Sequence, residues 1–153
     1  MSITEKTSNR LTGLALKTKT TNANGQAAID CGNLWQQFEK GDYAAKIPGK
    51  LSDEVFAVYY DYEGDYTQPY SYFIGCKVND DAPVPAELDS ITIPAGKYEK
   101  IIAKGTMPDC VAEAWKKIWQ SDLNRTYQAD FEVYDERSKD WSNATVEIFV
   151  GVK

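Results

Sequence analysis

The sequence predicts an α+β domain in which a strand–helix–strand–strand unit occurs twice. The same order of apolar patterns runs through about residues 11–78 and again through about residues 91–153. FIGCKV (Phe73–Val78) is echoed by FVGVK (Phe149–Lys153), and each unit contains a helical pattern with a central tryptophan. We therefore expect one domain over residues 1–153, with a pseudo-twofold axis between its halves, an antiparallel sheet and both helices on one side of it.

The first unit begins with LTGLALKT (Leu11–Thr18), which is apolar at alternate positions and therefore predicts a strand. Apolar residues at helical spacing then mark Gly25–Lys40 as an amphipathic helix. Two further alternating runs, Val55–Glu63 and Tyr70–Val78, flank the segment Gly64–Pro69. They predict a hairpin.

The polar, proline-bearing run Asn79–Leu88 predicts the connection to the second unit. We expect the second helix to have Thr106 as its N-cap and Pro108 in its first turn, and to end near Gln120. The strands of this half are expected at Ser90–Pro94, Lys97–Gly105, Phe131–Glu136 and Thr145–Val152.

The composition excludes several function classes. A net charge of −6 argues against nucleic acid as a direct partner. The absence of histidine removes Ser–His–Asp and Cys–His catalysis together with the commonest transition-metal ligand. No cofactor and no metal site is predicted.

The chain has the character of a cytoplasmic protein. Its first residues, MSITEKTSNR, lack the apolar core of a secretion signal, and no apolar run reaches membrane-spanning length. The three cysteines lie far apart and are odd in number, which fits reduced thiols better than a disulfide framework or a zinc site. We expect no association with a membrane.

The stretch ADFEVYDE (Ala129–Glu136) raises the central question about function. Neighbouring residues of a strand point to opposite faces, so Phe131 and Val133 share one face while Glu132 and Tyr134 share the other. If the first face packs on a core, Glu132 lies in water, pairs with a base of the protein or meets a cation from outside. The bases considered are Lys116, Lys117 and Arg125, and the pattern alone leaves the three alternatives open.

Six tyrosines crowd into residues 59–72. Tyrosine combines a large apolar body with a polar tip, which suits a half-wet binding wall. It is also a good strand former, so an ordinary hairpin explains the cluster equally well.

Four motifs together resemble a known family: Ile91–Pro108, AWKKIW (Ala114–Trp119), Tyr127 and FEVY (Phe131–Tyr134). The chain is similar, over about Leu11–Lys153, to the gyrase-inhibitor-like (GyrI-like) family. That family is also called the bacterial transcription activator effector-binding domain and includes the effector domains of the BmrR and Rob regulators. The resemblance implies a duplicated β-α-β-β fold.

The resemblance also implies a site for cationic, lipophilic ligands. Glu132 matches the family's acidic residue at the floor of an aromatic pocket, and FEVY also contains Tyr134. Trp115 and Trp119 match the aromatic positions of the helix, although ordinary packing in the core explains two tryptophans on one helix face at least as well. Tyr60 and Phe149 are nominated as further wall residues from the repeat.

The expected function is a non-catalytic binding module for cationic or amphipathic small molecules, acting as a sensor, a sequestering protein or an adaptor. No helix-turn-helix segment is expected before the first predicted strand, so the chain looks like a stand-alone form similar to integron cassette proteins. Two alternatives remain. One is a hydrolase of strained electrophilic rings that uses Glu132 with Tyr134 or Tyr127, and the other is a protein-interaction module that binds gyrase or the transcription machinery.

Overall fold

A computed structural model describes residues 2–153. Within that range there are two α-helices, α1 (Gln26–Lys40) and α2 (Asp109–Gln120). The strands are β1 (Ser2–Lys6), β2 (Asn9–Ala15), β3 (Val55–Tyr60), β4 (Ser71–Lys77), β5 (Asp89–Ile93), β6 (Gly96–Gly105), β7 (Arg125–Tyr134) and β8 (Ala144–Val152).

The strands form one antiparallel sheet in the order β1-β6-β8-β7-β3-β4-β2-β5. Outward from the central β3–β7 pair, one half runs β7-β8-β6-β1 and the other runs β3-β4-β2-β5. Equivalent strands of the two units therefore occupy equivalent places, as a pseudo-twofold axis through the centre requires. The predicted α+β class with an antiparallel sheet is confirmed, while the repeat bounds 11–78 and 91–153 stay a prediction.

Both helices pack on the same face of the sheet. Alternation along β3 turns Ala57 and Tyr59 toward the helices and Phe56 and Val58 away from them. Helix α1 buries its apolar stripe in a cluster over β4 and β2, and α2 buries its own stripe over β6 and β8. The two clusters meet at Tyr59 and Tyr134, so a space remains between the helices.

The opposite face of the sheet holds a second core, which explains the Phe131 side of the FEVY motif. The rings of Phe131 and Phe149 stack with centroids 4.9 Å apart, and Tyr98 meets Phe131 edge-on at 5.3 Å. The ammonium of Lys6 caps this stack 4.4 Å from the Phe149 centroid. Val133 is buried in the same cluster.

Several predicted boundaries are wrong. Strand β1 pairs with β6, although its residues were expected to precede the first strand. Strand β7 begins at Arg125 rather than at Phe131, because a bulge between Arg125 and Asp130 extends its pairing with β8. The bulge interrupts the alternating pattern by which strands are recognised.

Thr106 is not the N-cap of α2. The helix begins at Asp109, Pro108 takes the capping position, and no side chain caps the helix end. The carbonyl of Thr106 accepts a hydrogen bond from the amide of Cys110, and the amide of Met107 donates to the carbonyl of Trp141. Backbone contacts thus hold this end of α2. No helix within residues 2–153 has both the length and the apolar character that a bilayer crossing requires.

Candidate functional site

A cavity of about 1010 Å³ fills the space between α1 and α2 above the helix side of the sheet. It exists because each helix packs on its own half of the sheet and leaves the middle strands uncovered. All four tryptophans of the chain line it: Trp35 on α1, Trp115 and Trp119 on α2, and Trp141 in the loop before β8. The lining tyrosines are Tyr59, Tyr62, Tyr66, Tyr70, Tyr72 and Tyr134.

Glu132 lies at the floor of this cavity, on the central strand β7. Its neighbours Phe131 and Val133 point into the second core, so strand alternation turns Glu132 toward the helices. The side chain is 1% exposed. Its carboxylate accepts three hydrogen bonds: from the Tyr59 hydroxyl (2.8 Å), the Trp115 indole N–H (2.6 Å) and the Tyr134 hydroxyl (2.6 Å).

The carboxylate has no basic partner among the described residues. Arg125 pairs instead with Asp130 at 2.7 Å, and Lys116 pairs with Glu113 at 3.6 Å. Of the three alternatives left by the sequence, a solvent-exposed Glu132 does not fit its 1% exposure, and none of the described bases pairs with it. Its three hydrogen-bond donors are neutral, so no positive charge among the described residues compensates a negative charge on Glu132.

Burial raises the pKa of Glu132 above its ordinary value, because desolvation penalises the charged form. The hydrogen bonds from Tyr134, Trp115 and Tyr59 favour the charged form and offset part of that rise. Burial and the charge of Glu132 in turn raise the pKa values of Tyr59 and Tyr134. Both tyrosines therefore stay protonated and act as donors.

The rings of the wall fix one another in edge-to-face and stacked pairs. Trp115 meets Tyr59 edge-on at 5.0 Å, and Trp119 stacks on Tyr66 at 5.5 Å with planes 4° apart. On the opposite wall, the Trp35 indole N–H donates to the Tyr72 hydroxyl at 2.8 Å. The cavity thus offers flat apolar surfaces around one buried negative charge. No group of three His, Cys, Asp or Glu side chains within residues 2–153 is placed to hold a metal ion.

The structure brings together four of the six residues nominated from the sequence: Glu132, Trp115, Trp119 and Tyr134 all line the cavity. The nominations of Tyr60 and Phe149 are corrected. Both side chains lie on the other face of the sheet, with the second core.

Strand alternation accounts for these two errors. Tyr59 points to the helices, so its neighbour Tyr60 points away. Phe149 follows Ile148, which packs under α2, so Phe149 faces the Phe131 side. Tyr60-Asp61 in the first unit resembles Tyr134-Asp135 in the second, and the nomination of Tyr60 from the repeat followed this similarity, which carries no information on the face that each ring occupies.

Sequence reasoning did not nominate Tyr59, Trp35 or Trp141 as wall residues, and it considered Arg125 only as a base that could pair with Glu132. All four residues line the cavity. The signal for Tyr59 was present, because it shares a strand face with Val55 and Ala57. The tyrosine cluster both flanks a hairpin and supplies a cavity wall, since each of its members except Tyr60 lines the cavity.

An aromatic cavity between two helices on a duplicated antiparallel sheet defines a small-molecule-binding domain of the effector-binding class. The chain matches, over residues 2–152, the family described as Cass2, integron-associated effector binding protein. It belongs to this family, and the resemblance drawn from its motifs is confirmed.

One protein of related sequence and two solved structures resemble the chain. It is 32% identical over 124 residues to YobU of Bacillus subtilis (strain 168), a candidate transcriptional regulator, with 78% of each chain covered. The crystal structure of an integron cassette protein from the mobile metagenome of Vibrio cholerae superposes with a TM-score of 0.75 at 30% identity, covering 99% of this chain and 95% of the other. A structure of SAV2435 bound to tetraphenylphosphonium has the same fold, with a TM-score of 0.79 at 21% identity and coverage of 99% and 93%.

Proposed function

We propose that the protein binds lipophilic, aromatic cations in the cavity between α1 and α2, with Glu132 as the counter-charge. The observation that carries the proposal is a carboxylate 1% exposed, walled by aromatic rings and free of any basic partner within residues 2–153. Burying an unpaired charge is costly, and an organic cation entering the cavity relieves that cost.

The chemistry of the wall favours organic over inorganic cations. Each well-placed ring adds about 0.5–2 kcal/mol of cation–π attraction when the cation is desolvated. A small inorganic cation keeps its hydration shell and gains less from apolar surfaces. The wall consists mainly of aromatic rings and offers few hydrogen-bonding groups. The cavity therefore selects ligands by charge and flatness and accepts more than one compound.

The family and its relatives support a role in signalling or sequestration. The family is described as effector binding, YobU is a candidate regulator, and SAV2435 was solved with a lipophilic phosphonium. We place the activity in the cytoplasm, where the free thiols of Cys31, Cys76 and Cys110 stay reduced.

The proposal includes the absence of catalysis. A hydrolase of strained rings needs its carboxylate in contact with water or substrate. The Glu132 carboxylate instead accepts hydrogen bonds from Tyr59, Trp115 and Tyr134, which occupy lone pairs that a general base would use, while its charge can still attract a cation in the cavity. Incubation with an aryl epoxide, followed by chromatography for the diol, distinguishes the two functions, and turnover that Glu132→Gln abolishes would favour the hydrolase.

A dye-displacement assay tests the binding function. Rhodamine 6G serves as the fluorescent probe, and methyltriphenylphosphonium competes against the neutral triphenylphosphine oxide, which has the same three phenyl rings. We expect the phosphonium to displace the dye at a concentration at least about tenfold lower, a difference of about 1.4 kcal/mol. Equal displacement by the two compounds would contradict the proposal.

A further inference from the structure

A second polar group at the cavity wall, Arg125, has hydrogen-bonding capacity that the protein does not use. Its Nη2 donates to Asp130 at 2.7 Å, and the side chain is 3% exposed. Its Nε and Nη1 have no hydrogen-bond partner among residues 2–153 and no contact with solvent. An unpaired buried donor destabilises the empty protein, and an acceptor brought by a ligand removes that cost.

The backbone around Arg125 is distorted in a way that fixes this side chain at the cavity. Strand β7 carries a bulge between Arg125 and Asp130, and Tyr127 within it has a φ of 54°. A tyrosine in the left-handed region is strained, and such strain concentrates at functional sites. The guanidinium lies 4.3 Å from the Tyr127 ring centroid, so this ring covers the cation.

Arg125 and Glu132 are linked through a single ring, Trp115. The edge of the indole donates to the Glu132 carboxylate, and its face lies 5.9 Å from the guanidinium carbon. The carboxylate and the unused donors are therefore separated by about one aromatic ring. A ligand frame of that size reaches both.

The charge of Arg125 is already neutralised. Asp130 is fully buried, accepts from Arg125 and from the Gly151 amide at 2.8 Å, and is also bonded by the Tyr62 hydroxyl. A ligand carboxylate at this place meets no net positive charge and lies near a second carboxylate. A neutral acceptor, such as a ketone, ester or amide oxygen, takes the donors without that repulsion.

We infer that the cavity prefers lipophilic cations that carry a neutral hydrogen-bond acceptor about one benzene ring from the cationic centre, with the acceptor bound by Arg125. This inference rests on the proposed function and narrows its ligand class. The two donors are buried without a partner among residues 2–153, so the acceptor reaches them when neighbouring rings shift.

Two ligands of the same shape test the inference on the unaltered protein. (4-Acetylphenyl)triphenylphosphonium carries the acceptor, and (4-isopropenylphenyl)triphenylphosphonium replaces its oxygen by a methylene group and keeps the planar shape. We expect the acetyl compound to bind about fivefold more tightly by calorimetry, the factor that one net hydrogen bond of ordinary strength supplies. The 4-carboxyphenyl analogue is expected to bind more weakly than both.

A variant protein assigns the preference to Arg125. Arg125→Met combined with Asp130→Asn removes both charges of the pair, so neither is left buried alone, and keeps an acceptor for the Gly151 amide. We expect it to bind the two phosphoniums with equal affinity, whatever the absolute affinity of the variant. If the double variant does not fold, Arg125→Lys is used in its place. This substitution keeps the positive charge and removes the planar set of guanidinium N–H donors.

The results distinguish a failure of cation binding from a failure of the interaction with Arg125. If neither phosphonium binds, the proposed function fails and this inference fails with it. If both bind equally to the parent, or if the acetyl preference persists in the variant, the role of Arg125 is refuted while cation binding stands.

Discussion

The indole N–H of Trp115 and the carboxylate of Glu132 are joined by a 2.6 Å hydrogen bond that ties α2 to the floor of the cavity. This bond holds the ring edge-on to the charge, so that its face is left for the guanidinium and the cavity. A fluorescent side chain, Trp115, is therefore in direct contact with the Glu132 carboxylate, so its emission should respond to a ligand bound there.

Aromatic cations are expected to quench the tryptophan fluorescence. Trp115→Phe or Trp119→Phe should remove a larger part of the quench by rhodamine 6G than Trp141→Phe, because Trp115 and Trp119 lie on the helix wall. Trp141 is 60% exposed at the mouth and serves as the control. If the Trp141 variant alone loses the quench, the ligand stays at the mouth and does not reach the floor.

The carboxylates of Glu132 and Glu147 are expected to affect stability with opposite pH dependence. Burial raises the pKa of Glu132, so its contribution is full below the unfolded value of about 4.3 and is lost as the pH rises through the folded value. Glu132→Gln should therefore be as stable as the parent or more stable at pH 7, and the difference should shrink toward pH 4. Urea unfolding across this range measures it.

Glu147 provides the matched comparison on β8. Burial alone would raise its pKa, but the hydrogen bond and charge of Lys100, 2.7 Å away, hold the pKa below its ordinary value. Glu147→Gln should destabilise the protein at pH 7, and the loss should disappear as the pH falls below about 4. The same pH trend in both variants would contradict the environment described for Glu132.

Tyr59 and Tyr60 are neighbours on opposite faces, and their phenylalanine variants test which face the site occupies. Tyr59→Phe removes a 2.8 Å donor from a buried charge and should cost about 1–3 kcal/mol of unfolding free energy at pH 7. Tyr60→Phe should cost less than about 0.5 kcal/mol and leave cation affinity unchanged. Equal costs for the two, measured by urea unfolding, would overturn the assignment of faces.

The sequence was sufficient for the fold class, because the repeated unit and the alternating patterns predict two equivalent halves of an antiparallel sheet. Alternation separated Glu132 from the face of Phe131 and Val133, and only the family resemblance implied that Glu132 lies at the floor of a pocket. Alternation around Tyr59 gives equally direct information, but the nomination of Tyr60 followed a sequence echo instead.

Other features depend on contacts that no local pattern records. The bulge that extends β7 to Arg125 breaks the alternation, and the pairing of Arg125 with Asp130 rather than with Glu132 is set by that bulge. The edge strand β1 gains its place by pairing with β6, nearly 100 residues further along the chain. Trp141 reaches the cavity mouth through a loop whose course is fixed by its contact with Met107.

Whether Glu132 is the counter-charge of the bound cation is tested most directly by calorimetry. Methyltriphenylphosphonium is titrated into the parent and into Glu132→Gln, in two buffers of different ionisation enthalpy. Since a bound cation favours the charged carboxylate, parental binding at mildly acid pH should release a proton. Affinity should be flat at high pH and fall by up to about tenfold per unit below the pKa of the empty protein.

Glu132→Gln keeps the shape of the side chain and removes its charge. We expect it to bind the phosphonium at least about tenfold more weakly at pH 7.5, to release no proton and to bind triphenylphosphine oxide as the parent does. If it binds the phosphonium as tightly as the parent and with the same proton release, Glu132 is not the counter-charge of the ligand.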